Sequence, residues 1–161
     1  HNALGQFDDC LRDLSIAIDY TDDPKMTNYI VGQMASCNIS KEDYEEARWV
    51  YNAYLTELLD PSETDLVADT HNKQAVVELL DNNPEEAHRL LELSWNPYKD
   101  APEKYGEQHF YYLHNKGRAY MLQGKGNEAL ECLKESKRIQ MELNGEVMEN
   151  TLRYIEELGG E

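Results

Sequence analysis

The sequence predicts an all-α fold, a right-handed α-solenoid of antiparallel helix pairs with about eight helices. Residues 114–136 read as one complete helix–turn–helix, with small residues where the two helices would touch. A similar unit lies 43 residues earlier, opens near Asn72 and turns at Asn82-Asn83-Pro84. Internal similarity with a period in this range is typical of stacked helical repeats, in which each pair buries its core against its neighbours.

Four helices are predicted in the first half of the chain from apolar side chains that recur with helical spacing. The first ends at Thr21-Asp22-Asp23-Pro24. We expect Ser40 to cap the third helix, with Asp43 close to the acidic position of a capping box, and Ser62 to cap the fourth. The predicted helices cover approximately residues 6–20, 25–37, 41–59 and 63–80.

Four more helices are predicted in the second half. Pro84 suits the first turn of a helix, where a missing N–H costs nothing. Residues 96–102 form the longest irregular stretch, and its Trp95-Asn96-Pro97-Tyr98 cluster would either seal the end of a helix pair or present an edge to a partner. The predicted helices cover approximately residues 84–95, 104–122, 126–143 and 146–158, and the last is polar enough to cap an array.

These helices group into one repeat domain over residues 1–161. Its predicted parts are a half repeat over 1–24, repeats over 25–60, 61–102 and 103–144, and a capping helix over 145–161. The chain does not begin with Met, and Gly5-Gln6-Phe7 already reads as the turn and second helix of a unit. We therefore expect a fragment of a longer protein, or a processed one.

The pattern of small and aromatic residues resembles the tetratricopeptide repeat (TPR) family. That family places a small residue in the first helix, an aromatic residue near its end and an alanine early in the second helix, and Gly117, Tyr120 and Ala129 match. Earlier units retain parts of this pattern, with Gln74 where glycine is usual. The matching residues there are Gly5, Phe7, Leu14, Ala17, Gly32, Tyr44, Ala47, Tyr51, Ala75, Ala87 and Leu91. The resemblance implies a TPR-like solenoid.

By the same resemblance, ligands would lie along a concave surface made by the first helix of each pair. His-Asn-Lys recurs at 71–73 and 114–116, and an inward Asn amide can pair with the backbone of an extended peptide. The alternative is that these Asn residues cap helix ends or are simply inherited with the repeat. The candidate ligand-binding residues are Tyr29, Gln33, His71, Asn72, Tyr111, His114, Asn115 and Arg118.

The function that this resemblance implies is a protein–protein interaction scaffold, which binds a peptide or helix of a partner protein in the groove and catalyses nothing. An alternative is a regulatory sensor module of a larger regulator, similar to bacterial peptide-sensing regulators, whose peptide ligand changes the superhelix shape. Binding of chaperone C-terminal tails is disfavoured, because Tyr29, Ile30 and Gln33 stand where that subtype needs cations and amides.

The charge is strongly acidic, with 32 Asp and Glu against 15 Lys and Arg and a formal net charge of −17. Nucleic acids and anionic membranes need a positive footprint, so both are excluded as main ligands. A neutral or basic protein or peptide partner is expected, unless the charge serves only to keep solvated helix faces soluble. The oligomeric state stays open.

Motifs for catalysis, metals or cofactors are missing from the sequence, so we expect no enzyme, no metal and no cofactor. Glu85 and His88 form a single Glu-x-x-His, whereas a di-iron site needs two. Cys10, Cys37 and Cys132 are far apart, which argues against a disulfide or metal framework and favours a reducing compartment, the cytoplasm. No apolar run is long enough for a membrane span.

Overall fold

The computed structural model of the chain describes residues 12–160, which form helices, turns and no strand. The all-α prediction is therefore confirmed, and eight α-helices occur in this part of the chain. The residues form two compact units that divide between Val77 and Glu78. The solenoid and the single continuous repeat domain stay predictions. The predicted roles of Gly5, Phe7 and Cys10 fall outside the described residues.

The helices are close to those predicted, with small changes at their ends. Tyr54–Leu58 continues α3 as a π-helical turn, and Pro102–Lys104 is a short 3₁₀ turn before α6. The helices are α1 (12–18), α2 (Pro24–Ser40), α3 (Tyr44–Ala53), α4 (Thr64–Leu80), α5 (Pro84–Trp95), α6 (Gly106–Leu122), α7 (Gly126–Asn144) and α8 (Glu149–Glu157).

Two predicted N-caps are wrong. Ser40 ends α2, and its hydroxyl donates to the Ser36 carbonyl at 3.0 Å. The cap of α3 is Asp43, whose carboxylate accepts from the Glu46 N–H at 3.1 Å. Ser62 lies two residues before α4 begins, and its backbone N–H donates to the Asp60 carboxylate at 2.9 Å. Pro84 does occupy the first turn of α5, as predicted.

Three helix pairs close with the same turn, a Schellman motif whose central residue is left-handed. That residue is Glu42 between α2 and α3, Asn82 between α4 and α5, and Gly124 between α6 and α7, with φ of 59°, 58° and 70°. The turns are therefore 40 and 42 residues apart. The closing bonds run from the N–H of Asp43 to Asn38 O, Asn83 to Glu78 O and Lys125 to Tyr120 O, at 2.9, 2.8 and 2.9 Å.

Each pair also buries an alanine of its second helix, four residues after the residue that caps that helix. Ala47, Ala87 and Ala129 have no exposed surface, and their N–H groups bond to the cap residues 43, 83 and 125. The positions of the first helices that correspond by distance from the turn are Ala35 in α2, Ala75 in α4 and Gly117 in α6, all small residues. The counterpart of Gly117 in α2 is therefore Ala35, not Gly32.

The core of the first unit forms where α2, α3 and α4 meet. Val31, Ala35, Val50 and Tyr51 are buried there with Val77, and they exclude water from the surfaces of all three helices. Burial of this kind is the main source of stability for helices of such length. It fixes the relative positions of α2 and α4, whose outer surfaces form the site described below.

In the second unit α8 is held on α6 and α7 through buried polar groups. Gln140 Nε2 donates to Thr151 Oγ1 at 3.1 Å and to Ser136 Oγ at 2.9 Å, and its Oε1 accepts from the Met148 N–H at 2.7 Å. Ser136 in turn donates to the Phe110 carbonyl at 2.8 Å. Since Gln140, Ser136 and Thr151 are almost fully buried, this network fixes α8 in one position.

Candidate functional site

The first unit contains an open groove of about 270 Å³ between the first helices of two consecutive pairs, α2 and α4. We call it the α2–α4 groove. Tyr51 of α3 forms part of its base and is 4% exposed. The residues that line it are Tyr29, Gly32, Gln33, Ser36 and Ile39 of α2, Tyr51 of α3, and Lys73 and Val76 of α4.

Helical spacing places the groove residues of α2 on one side of that helix. Tyr29, Gln33 and Ser36 recur at intervals of four and three residues, and their side chains are exposed. Tyr29 keeps 60% of its surface accessible, which is unusual for so large an aromatic side chain. Gly32 lies between them and leaves room for the end of Lys73, whose Nζ would be 3.6 Å from an added Cβ. The groove therefore combines an aromatic surface with free space.

The charge of the groove is set by an ion pair on α4. Lys73 Nζ lies 2.7 Å from Asp69 Oδ2, and Asn28 Nδ2 donates to the same oxygen at 3.0 Å. The ion pair holds the Lys73 side chain in place. Because the pair is partly exposed to solvent, its contribution to stability is small. Burial, together with the Asp69 charge, raises the pKa of Tyr51 well above its ordinary value, and its phenol stays neutral. The groove thus presents one fixed ammonium group among neutral polar groups.

Of the four candidate residues in the first unit, Tyr29 and Gln33 line the groove and His71 and Asn72 do not. His71 Nδ1 is hydrogen-bonded to Gln74 Oε1 at 2.9 Å, and Gln74 Nε2 donates to Asn52 Oδ1 at 2.8 Å. These two hydrogen bonds link His71 through Gln74 to Asn52 of α3. Asn72 is half-buried on α4. Whether any of the four contacts a ligand stays a prediction.

In the second unit the candidate residues lie on α6, and α8 contacts His114 among them. Tyr111 is 40% exposed, whereas His114 and Asn115 are only 7% and 4% exposed. His114 Nδ1 is hydrogen-bonded to Thr151 Oγ1 of α8 at 2.9 Å, and Arg118 Nη1 donates to Asn115 Oδ1 at 3.1 Å. These contacts give His114 and Asn115 a structural use within the second unit.

The ring of His114 is held neutral. Burial, assisted by the positive charge of Arg118, lowers the pKa of His114 to about 4. The Thr151 hydroxyl accepts from Gln140 Nε2 and retains a second lone pair and its own proton, so it can donate to His114 Nδ1 or accept from it, depending on the tautomer of the neutral ring. His114 is thus part of the network that fixes α8.

The turns define which positions correspond in α2, α4 and α6, the first helices of the three pairs. The two His-Asn-Lys triplets do not lie at corresponding positions. The recurrence is spaced by 43 residues, whereas the turns at Asn82 and Gly124 are 42 apart. By the turns, Asn72 corresponds to His114 and Gly32, and Lys73 corresponds to Asn115 and Gln33. Lys73 is therefore an α4 groove residue that sequence reasoning missed, and counting back from the buried alanines would have found it.

An aromatic cluster seals the end of α5 against α6 in the second unit. Trp95 stacks on His109 and Tyr112, with ring centroids 4.6 and 5.3 Å apart, and Tyr98 is only 5% exposed against Tyr105. This arrangement favours sealing over the alternative of an exposed partner-binding edge. Beside it, Tyr112, Lys116 and Glu92 form a hydrogen-bonded triangle with sides of 2.6 to 2.9 Å.

Residues 12–160 contain no cluster of three His, Cys, Asp or Glu side chains that could hold a metal ion. His88 of the single Glu-x-x-His lies against the Tyr120 ring, with centroids 4.6 Å apart, and contacts Gln123 Oε1 at 3.3 Å. Cys37 and Cys132 are free thiols. No helix in the described range is both long and apolar enough to cross a membrane.

No protein-family model, curated protein or solved structure matches the chain. The class that the described residues define is an all-α protein with a repeat-like series of helix pairs.

Proposed function

We propose that the chain is a TPR-like protein–protein interaction scaffold that binds a peptide or helix of a partner protein and has no catalytic activity of its own. The observation that carries this proposal is the open α2–α4 groove, with Tyr29, Gln33 and Ser36 exposed along one wall. In the proposed arrangement the helix pairs stack into a right-handed solenoid, and the first helix of each pair contributes to the binding face.

The chemistry of the groove supports a peptide as the ligand. The Gln33 amide can both donate to and accept from a peptide backbone, and the exposed Tyr29 ring offers apolar area for a side chain of the partner. Tyrosine is enriched at the centres of protein interfaces for this reason. The fixed ammonium group of Lys73 suits a carbonyl or carboxylate of the ligand.

The net charge supports a neutral or basic partner. With −17 charges on 161 residues, the chain attracts cationic polypeptides over a distance of about a Debye length and repels nucleic acids. The free thiols of Cys37 and Cys132 are consistent with a reducing compartment, and we include a cytoplasmic location in the proposal.

The test is to select 12-residue peptides from a displayed random library against the whole chain and to measure their affinity by fluorescence anisotropy. Tyr29→Ala combined with Gln33→Ala should weaken binding at least tenfold. Trp49→Ala is the matched control, because Trp49 is an equally exposed aromatic side chain at 61% that does not line the groove. Equal losses in both proteins, with circular dichroism unchanged, would place the binding surface elsewhere.

A regulatory sensor is the second proposal, and one observation favours it. α4 provides Lys73 to the groove in the first unit and continues past Val77 into the second. A ligand that shifts α4 would therefore act on a helix shared by both units. Small-angle scattering at saturating peptide should then show a changed radius of gyration, whereas a passive scaffold should show none.

A further inference from the structure

The first unit has a second cavity, of about 240 Å³, away from the α2–α4 groove. It lies where the end of α1, the start of α2 and the π-helical turn after α3 meet the segment that leads into α4. Its apolar wall is formed by Ile18, Leu58 and Leu59, and the carboxylates of Asp22, Asp60 and Glu63 also line it. We call it the acidic cavity.

The π-helical turn shapes this cavity. The Leu59 N–H bonds to the Tyr54 carbonyl at 2.9 Å, five residues back, so the last turn of the helix is wider than an α-helical turn. Leu58 is 55% exposed as a result, and Tyr54 is almost fully buried. Such single π-turns are rare and are frequently found at functional sites.

Tyr54 lines the cavity and carries a hydroxyl without a hydrogen-bond partner. The side chain is 1% exposed, and its oxygen neither donates to nor accepts from any group of residues 12–160. Burial, followed by the charges of Asp69 and Glu63, raises the pKa of this phenol, so its hydroxyl keeps its proton. Glu63 lines the same cavity as Tyr54. A buried hydroxyl without a partner is costly, and a ligand that satisfies it removes that cost.

The three carboxylates also lack cationic partners within the described residues. None of the lysines and arginines there forms an ion pair with Asp22, Asp60 or Glu63. Asp60 accepts from the Ser62 N–H, which lowers the pKa of its carboxyl group and keeps it ionised. The carboxylates are too dispersed to hold a metal ion. The cavity is therefore suited to an organic cation.

We propose that the acidic cavity binds the side chain of a lysine or arginine from a partner polypeptide. The apolar wall of Ile18, Leu58 and Leu59 contacts the methylene stem, and the carboxylates bind the charged head, as long basic side chains require. The volume is below that of sites for drug-sized molecules, which matches a single side chain. The net acidity of the chain brings such a partner to the surface.

The test is a nuclear magnetic resonance titration of the whole chain with four amides. These are Nα-acetyl-arginine amide, Nα-acetyl-lysine amide, the norleucine analogue with the same stem and no charge, and the glutamate analogue. The two cations should shift the backbone amides of Ile18, Thr27 and Leu59 with millimolar affinity, and the other two should not. Equal shifts with norleucine amide, or no shifts at these residues with either cation, would overturn the proposal.

Charge-neutralising variants distinguish binding in the acidic cavity from a general effect of the negative charge of the chain. Asp60→Asn combined with Glu63→Gln should weaken arginine amide binding at least fivefold, whereas Glu45→Gln with Glu46→Gln, on the exposed side of α3, should change it less than twofold although the net charge changes equally. Equal effects would show screening of the whole surface and contradict a site. The groove variant Tyr29→Ala/Gln33→Ala should leave arginine amide binding unchanged, so failure of the groove proposal is distinguishable.

Tyr54→Phe tests the buried hydroxyl. It removes one oxygen from a site where that oxygen has no partner, so the thermal midpoint of the free chain should not fall. Arginine amide affinity should drop about threefold if the hydroxyl contacts the bound cation's head group. An unchanged affinity would contradict the assignment of Tyr54 as part of the site.

Discussion

Gly117 on α6 lies so close to Leu133 on α7 that a methyl group added to Gly117 would be 2.7 Å from Leu133 Cγ. The carbonyl of Ala129 would be 3.2 Å away on the same side. The Leu133 side chain and the Ala129 carbonyl of α7 fill the space that a side chain at position 117 would need, which accounts for a glycine in the middle of α6 despite its low helix propensity. Gly32 on α2 has no such neighbour, since only the terminal atoms of the Lys73 side chain come within 4 Å of the same position.

Substitution of these two glycines by alanine should have opposite effects. Gly117→Ala forces the helices apart and should lower the free energy of unfolding by about 1–3 kcal/mol. Gly32→Ala gains helix propensity without a clash and should raise it by about 0.5–1 kcal/mol. Urea unfolding followed by circular dichroism measures both. Equal destabilisation by the two changes would mean that Gly32 is also a packing position.

The stability of the second unit should depend on pH through His114. Its pKa is about 4 when folded and near 6.5 when unfolded, so the unfolded state binds more protons between these values. The stabilising effect is fully present above pH 6.5 and is lost as the pH falls towards 4, by roughly 3 kcal/mol at 1.36 kcal/mol for each pKa unit. The measurement is urea unfolding from pH 7.5 to 4.

His114→Gln is the matched control for that dependence, because glutamine can accept from Thr151 but does not titrate. The difference in unfolding free energy between wild type and variant should shrink as the pH falls from 6.5 to 4. A constant difference over this range would show that His114 does not control the pH dependence.

The left-handed turn residue Glu42 should be a point where the chain gains stability on substitution. A non-glycine residue in this conformation costs about 1–2 kcal/mol, and Gly124 shows the residue that the same turn accepts without strain. Glu42→Gly should therefore raise the free energy of unfolding by about 1 kcal/mol. Lys41→Gly is the control, because Lys41 is right-handed at φ −88° and the same change there should only destabilise.

Alanine substitutions should show that the two asparagines of the His-Asn-Lys triplets contribute differently to stability. Asn115 is 4% exposed and accepts from Arg118, so Asn115→Ala should cost roughly 1–3 kcal/mol of stability. Asn72 is half-buried, and Asn72→Ala should cost less. Thermal unfolding of the two single variants decides the order. A larger loss at Asn72 would mean that α4 depends on its side chain more than its burial indicates.

Elements with a strong local signal could be predicted from sequence. Pro84 and Ala87 placed the start of α5, and Gly124 and Ala129 placed the start of α7, because first-turn proline, left-handed glycine and buried alanine each have one dominant structural use. The prediction of Ser40 as the N-cap of α3 is wrong although serine is a good N-cap in general. The Schellman turn occupies the next residues, so the cap is Asp43.

Features that depend on distant contacts could not be predicted. The buried His114 is hydrogen-bonded to Thr151 on α8, which is 37 residues away in sequence. The π-helical turn after α3, and hence the acidic cavity, has no local signature, since a single widened turn has nearly the same apolar pattern as an α-helix. The correspondence of Lys73 with Gln33 could be found only from the positions of the turns. The His-Asn-Lys triplets suggested a different alignment, because their spacing differs by one residue from the spacing of the turns.

The common geometry of the three turns makes the helix pairs exchangeable modules. A segment excised just after one turn and inserted just after another would meet a left-handed residue and the same pair of closing hydrogen bonds at both junctions. We therefore expect duplication or shuffling of a pair at these points to preserve the turns and to require new side-chain packing. The difference between the 40- and 42-residue intervals lies outside the turns, so those connections are where the chain tolerates insertions.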